Sequence, residues 1–174
     1  MIGIVGWKSS GKTTLIERLI AILTQRGLRI ATIKHSHHAL RPRDGATDGE
    51  RHARAGALDV AVIGPGQWEL SGQARSSPAP GLDDLAARLG PADLILVEGF
   101  KSAPIPKIEV RRQTTETQLP LAANDPNVIA IVADHAVEAG ELPVFCIDDA
   151  DAIAAFIVGA AGLQERDGGN STAR

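Results

Sequence analysis

One cysteine, Cys146, is all the thiol the 174 residues contain. That excludes an intrachain disulfide and any metal site built from several thiolates. Its place in the apolar run Val144-Phe145-Cys146-Ile147 predicts a small buried side chain. A basic excess is lacking too. Lys plus Arg is 18 against 21 for Asp plus Glu, a formal net charge of −3, which argues against a surface made to neutralise nucleic-acid phosphates or anionic lipid. No apolar run approaches the roughly 20 residues of a membrane-spanning helix. The start, Met1-Ile2-Gly3-Ile4-Val5, lacks a basic region and turns polar by Lys8, unlike a secretory leader. The expectation is a soluble, cytoplasmic protein with no nucleic-acid or membrane partner.

What the chain has is 44% apolar and 22% charged residues, enough for one compact core. Stretches 2–5, 28–33, 58–63, 94–97, 107–110, 128–132 and 144–147 read as strands, with a shorter one at 67–70. Leu15, Ile16, Leu19, Ile20 and Leu23 fall at helical spacing, with Gly27 where a helix C-cap belongs. Stretches 50–55, 82–89 and 150–158 read as further helices. Continuous rather than alternating apolar strands imply that both sheet faces are covered, as in a parallel sheet. The expected fold class is therefore α/β, a three-layer P-loop type with a mainly parallel sheet. One nucleotide-binding domain over 1–163 is expected, with a mobile loop at 71–81 and a disordered tail at 164–174, since neither stretch carries apolar anchors.

Gly6-Trp7-Lys8-Ser9-Ser10-Gly11-Lys12-Thr13 fits the phosphate-binding pattern G-x-x-x-x-G-K-[ST] without a mismatch. The glycines let backbone amides curl around an anionic phosphate, and the following helix turns its positive end to the same charge. Lys12 is expected to reach the β- and γ-phosphates, and Thr13 to offer its hydroxyl to Mg²⁺. Gly6, Lys8, Ser9, Ser10, Gly11 and Thr14 complete the candidate nucleotide contacts. The strand at 94–97 ends in Glu98, at the carboxyl edge where ligands sit in open parallel sheets. Its carboxylate is placed to hold Mg²⁺ or orient an attacking water, so Lys12 and Glu98 are the candidate catalytic pair. Asp93 precedes the same strand, at the opposite edge, and is excluded as a ligand. Asp134 follows the 128–132 strand at the correct edge. It is the candidate reader of guanine, whose N1–H and 2-amino donors one carboxylate can accept together. No N-K-x-D motif offers another.

The stretches G-W-K-S-S-G-K-T-T-L-I-E-R-L at 6–19, A-T-I-K-H-S-H-H at 31–38, R-H-A-R-A-G-A at 51–57, L-I-L-V-E-G-F-K at 94–101 and P-K-I-E-V-R-R at 106–112 resemble the molybdopterin-guanine dinucleotide biosynthesis protein B (MobB) family. The resemblance covers roughly residues 1–158. It implies a homodimeric GTP-binding protein of weak GTPase activity, using GTP and Mg²⁺. Such a protein assists molybdenum cofactor maturation beside the molybdopterin guanylyltransferase and other molybdopterin-handling enzymes. Asp48 falls where family members carry an acid before R-H, which implies a place in the Mg²⁺ shell. Lys34 and His35 end the second strand at the phosphate edge and read as a switch that senses the γ-phosphate or a pterin product. His35, His37 and His38 are too few, without cysteine, for a structural zinc site. Lys107, Glu109 and Arg111 alternate on a strand, either as its polar face or as ligand contacts. Trp7 either covers the nucleotide or packs at a dimer contact.

Two readings compete with the adapter. An ATP-dependent small-molecule kinase or ligase would use the clustered Arg41, Arg43, Arg51 and Arg54 in a substrate lid. A pure binding adaptor would hold its nucleotide structurally. Dimerisation has one physical support: Trp68 and Leu70, two apart on a short strand, share a face that no following helix covers. Either a second copy packs on it or the stretch after Ser71 folds back over it.

Overall fold

The computed structural model describes residues 1–36, 47–72, 80–115 and 119–164. Eight strands form, β1 (Ile2–Gly6), β2 (Ile30–Lys34), β3 (Asp59–Gly64), β4 (Gln67–Gly72), β5 (Leu94–Glu98), β6 (Lys107–Arg111), β7 (Val128–Ala133) and β8 (Val144–Cys146). The helices are α1 (Lys12–Gln25), α2 (Asp48–Ala55), α3 (Leu82–Arg88) and α4 (Ala150–Ala160). The chain divides into two compact units, residues 36–81 and the remainder.

In the larger unit six strands run parallel in the order β2-β5-β1-β6-β7-β8. Register sorts the faces. Ile2 lies beside Leu96 and Ile4 beside Ile108, and these side chains bury with Leu15, Leu19 and Leu23 of α1 and Ile153 and Ile157 of α4. The other face carries Val97 and Ile33, packed with Leu82, Leu85 and Leu89 at α3. This is the three-layer α/β arrangement expected from the sequence, because strands covered on both sides must be apolar throughout. Helix α1 ends as Gly27 dictates: its φ is 78°, its amide donates to the Thr24 carbonyl, and Leu28 donates to that of Leu23. Such a turn favours glycine because a Cβ is penalised in the left-handed region.

Two expectations need correction. Cys146 is exposed rather than buried. It closes β8, a three-residue strand at the sheet edge, where Val144 is also exposed while Phe145 and, beyond the strand, Ile147 pack on the core. Lys107 and Glu109 are not a solvated polar face, since both are about 1% exposed. The Lys107 ammonium meets Asp125 at 2.6 Å. Glu109 accepts from the amides of Leu121 and Ala122 at 2.8 and 3.0 Å and from Arg111 at 2.8 Å. Burial of these charges is tolerated because each is paired and hydrogen-bonded. They fasten the 119–125 segment to the sheet.

The smaller unit is an antiparallel β3–β4 hairpin with α2. Val60 and Val62 lie against Gly49 of α2. The opposite face pairs Ile63 with Trp68 and Ala61 with Leu70. Ile63 and Trp68 are 85% and 63% exposed, and Leu70 is exposed as well. Strand β4 runs on to Gly72, so the expected loop begins later than Ser71; residues 73–79, and the tail beyond 164, lie outside the described residues.

Candidate functional site

The loop between β1 and α1 is built around its glycines. A Cβ on Gly6 would sit 2.4 Å from the Val110 carbonyl oxygen and 2.7 Å from Ser10 Oγ, so no larger residue fits. Ser9 and Gly11 both take positive φ, 65° and 90°. Residues in that conformation turn successive amides inward as an anion nest. Gly11 caps α1 without any side-chain hydrogen bond, and the first turn holds no acid. The amides and the positive end of the helix dipole are thus left for an external anion.

Lys12 folds back over this loop, donating to the Trp7 carbonyl at 2.6 Å and to Ser10 Oγ at 3.4 Å. Burial lowers its pKa from the ordinary lysine value. Glu98 draws it back up, while Lys101 and Lys34 push it down. Three ammonium groups near one another and an uncapped helix make a positive field suited to a polyphosphate.

Thr13 and Glu98 are in contact. The hydroxyl of Thr13 donates to both carboxylate oxygens, at 3.0 and 3.1 Å. Lys34 joins them, 3.1 Å from Glu98 Oε1 and donating to Thr13 Oγ1 at 3.2 Å. A hydroxyl and a carboxylate beside a phosphate cradle are the hard oxygen donors that Mg²⁺ selects, so the residues fit that ion. Among the described residues no cluster of three His, Cys, Asp or Glu could hold a metal by itself.

The other candidates are placed as follows. His35 donates its amide to the Glu98 carbonyl at 2.9 Å, and its ring lies 4.9 Å from that of Phe100. Asp93 sits at the far edge, where it binds the Arg29 amide and guanidinium. Asp134 follows β7, with Oδ1 taking the Gln113 amide at 2.8 Å and lying 2.9 Å from His135 Nδ1. The His135 and Gln113 bonds hold its carboxyl below the usual carboxylate range. Asp48 belongs to the smaller unit, at the start of α2, and pairs with Arg51 at 3.2 Å. His37, His38, Arg41 and Arg43 lie outside the described residues.

Sequence reasoning gave no role to Arg112. Its guanidinium lies over Gly11, 3.2–3.3 Å from where a Cβ there would be, and 4.0 Å from Asp134. Its Nε is buried with no hydrogen-bond partner among the described residues. The available signal was position: Arg112 leaves β6 at the phosphate edge. Trp7 is fixed on two sides, by the Leu119 carbonyl accepting from Nε1 at 2.9 Å and by Lys101 Nζ 3.8 Å from the ring centroid.

A parallel sheet with this loop, an uncapped helix and a Thr-Glu pair at its carboxyl edge defines an α/β protein of the P-loop type. The family profile of molybdopterin guanine dinucleotide synthesis protein B (MobB) matches residues 1–134. The chain is 39% identical to the molybdopterin-guanine dinucleotide biosynthesis adapter protein of Haemophilus influenzae, over 79% of this chain and 76% of that protein. With the adapter protein of Escherichia coli the identity is 32%, over 91% of each. The crystal structure of Bacillus subtilis MobB superposes with a TM-score of 0.71 at 32% identity, covering 95% of this chain and 98% of that one. A MobB homolog from Bacillus stearothermophilus gives 0.68 at 29% identity, over 92% and 97%. The chain belongs to the MobB family.

Proposed function

We propose that this protein binds GTP with Mg²⁺, hydrolyses it slowly, and serves in the cytoplasm as an adapter in molybdopterin guanine dinucleotide biosynthesis. Its partners in this reading are the molybdopterin guanylyltransferase and other molybdopterin-handling enzymes. The carrying observation is the convergence of the uncapped α1 N-terminus, Lys12 and the Thr13–Glu98 pair at one sheet edge, in a chain of this family. The competing kinase or ligase is not favoured, since the relatives are adapter proteins.

In this mechanism the amides of Gly6, Lys8, Ser9, Ser10, Gly11 and Thr14 wrap the phosphates. Lys12 exchanges the Trp7 carbonyl for β- and γ-phosphate oxygens. Thr13 and Glu98 would hold Mg²⁺, which would supply neutralisation of phosphate charge; Asp48, in the other unit and paired with Arg51, is given no part in this site. Glu98 orients the water whose oxygen bonds to the γ-phosphorus as the bond to the β-phosphate oxygen breaks, releasing GDP and phosphate. Lys34 and His35 are placed to follow the state of this edge, since Lys34 holds Glu98 and Thr13, the residues that would hold the metal. Asp134 reads guanine, with Oδ2 the oxygen left once Oδ1 has bound Gln113.

Glu98→Gln should keep GTP binding and slow hydrolysis at least tenfold, since it retains shape but loses the charge that orients water. Single-turnover phosphate release checks this. A wild-type rate would leave Glu98 as a loop acid.

The protein is proposed to be a homodimer through the bare Ile63–Trp68–Leu70 face of the hairpin. Such a face on a two-stranded sheet is a liability unless something pairs with it. Sedimentation of wild type and of Trp68→Asp/Leu70→Asp is expected to show a dimer and a monomer respectively. A wild-type monomer refutes the dimer; an unaltered double variant moves the interface elsewhere.

A further inference from the structure

Beneath the phosphate loop, on the sheet face opposite α1, lies a cavity of about 290 Å³ that meets the nucleotide site only at Trp7 and Lys101. Val5, Trp7, Lys101, Leu121, Asn124 and Asp125 supply the lining the argument needs. Its volume is at the small end of ligand cavities, about 300–1,000 Å³, which suits a mono- or bicyclic ring and not a dinucleotide. The walls are mainly apolar and the chemistry is divided between its ends. Trp7, whose carbonyl holds Lys12, stands at the phosphate edge with the Lys101 ammonium. Asn124 and Asp125 stand at the far end, before β7.

The far end is polarised and preset. Burial pushes the Asp125 carboxyl up, but the Lys107 bond and two bonds from Asn127 outweigh it and hold it ionised. Among the described residues its Oδ2 accepts from Lys107 alone, leaving a lone pair for one more donor. The near end is cationic, with Lys101 over the indole. A ligand fitting this division has a flat ring with N–H donors on one edge and an anionic group at the other end.

We propose that this cavity is a second ligand site, for a planar nitrogen heterocycle carrying a phosphate, of the pterin phosphate type. The ring lies between Val5 and Leu121 with its amino–imino edge on Asn124 and Asp125, and its phosphate meets Lys101. Since Trp7 belongs to both sites, the ligand's phosphate end lies next to the terminal phosphate of the nucleotide. The inference rests on the adapter reading for the identity of the heterocycle, and on the cavity alone for its place. It makes the protein a holder of both reactants' chemical types, in sites that meet at Trp7.

The test uses the full chain, with neopterin monophosphate and unphosphorylated neopterin as probes, read by pterin fluorescence polarisation. N-methylanthraniloyl-GTP is titrated on the same samples. Saturable binding of neopterin monophosphate, undiminished by saturating GTP, is expected. Lys101→Ala should weaken the phosphorylated probe roughly tenfold, the scale of one charge-assisted contact, and leave neopterin unaffected. Asn124→Trp, which fills the cavity from an exposed position, should abolish binding of both. A protein that binds the GTP analogue but neither pterin overturns the cavity assignment alone. Displacement of the probe by GTP, or unchanged probe binding in both variants, overturns it as well. Pterin binding without binding of the GTP analogue would sink the nucleotide reading and leave this site standing.

Discussion

Lys12→Ala should lose GTP affinity by more than tenfold while melting at the wild-type temperature. The ammonium is the one loop cation that folds back on the cradle, 2.6 Å from the Trp7 carbonyl. A hydrogen bond to a charged group contributes about 1.5–3 kcal/mol, which is about 10–150-fold in affinity. The deficit should exceed that of removing one phosphate amide, because the ammonium also opposes charge on two phosphates. Stability should hold, since the side chain is only part-buried. Titration of N-methylanthraniloyl-GTP measures the first quantity and calorimetric melting the second. Wild-type affinity would remove the phosphate-cradle assignment, whatever the motif says.

Glu109→Ala has the largest expected effect on stability. The buried carboxylate is the acceptor for two backbone amides, of Leu121 and Ala122, and for the Arg111 guanidinium. Removing it strands a charge and two N–H groups away from water. Breaking a buried pair in this way costs about 3–5 kcal/mol, a fall in melting temperature on the order of 10 °C for a domain of this size. Glu109→Gln, keeping one acceptor oxygen and the volume, should cost distinctly less. The 119–125 segment should loosen first in the alanine variant, visible as faster amide exchange at Leu121 and Ala122. A loss below about 1 kcal/mol, with those amides still protected, would show that the segment is held by other contacts.

The sheet was legible because β1, β5 and β7 are covered on both faces and read as near-continuous apolar runs. Helix α1 announced itself by Leu15, Leu19 and Leu23 at one end and Gly27 at the other. The cradle was legible because G-x-x-x-x-G-K-T encodes a backbone shape, and shape is what binds phosphate. The Thr13–Glu98 pair followed from topology alone: β5 neighbours β1, so the residue ending β5 faces the loop that β1 opens into. Other features depended on long-range contact, which periodicity does not carry. Alternation at Lys107, Glu109 and Arg111 is the same whether water or a covering segment lies above the strand. The 119–125 stretch, with Pro120 and Asn124, has no period to reveal that it would lie there. Cys146 was misjudged because an apolar tetrapeptide looks alike in a central and an edge strand. Arg112 offers only its position at the end of β6, and its proximity to Gly11 depends on the β1–β6 pairing.

The central claim is that this edge binds a guanine nucleotide with Mg²⁺. Isothermal titration of the nucleotide-free protein with GTP and with ATP, each with Mg²⁺ and again with EDTA, tests it most directly. The account predicts that GTP binds at least tenfold more tightly than ATP, the scale of a doubly hydrogen-bonded base edge, and that EDTA weakens GTP binding. Equal or tighter binding of ATP, with or without Mg²⁺, would contradict it and return the chain to the kinase or ligase reading.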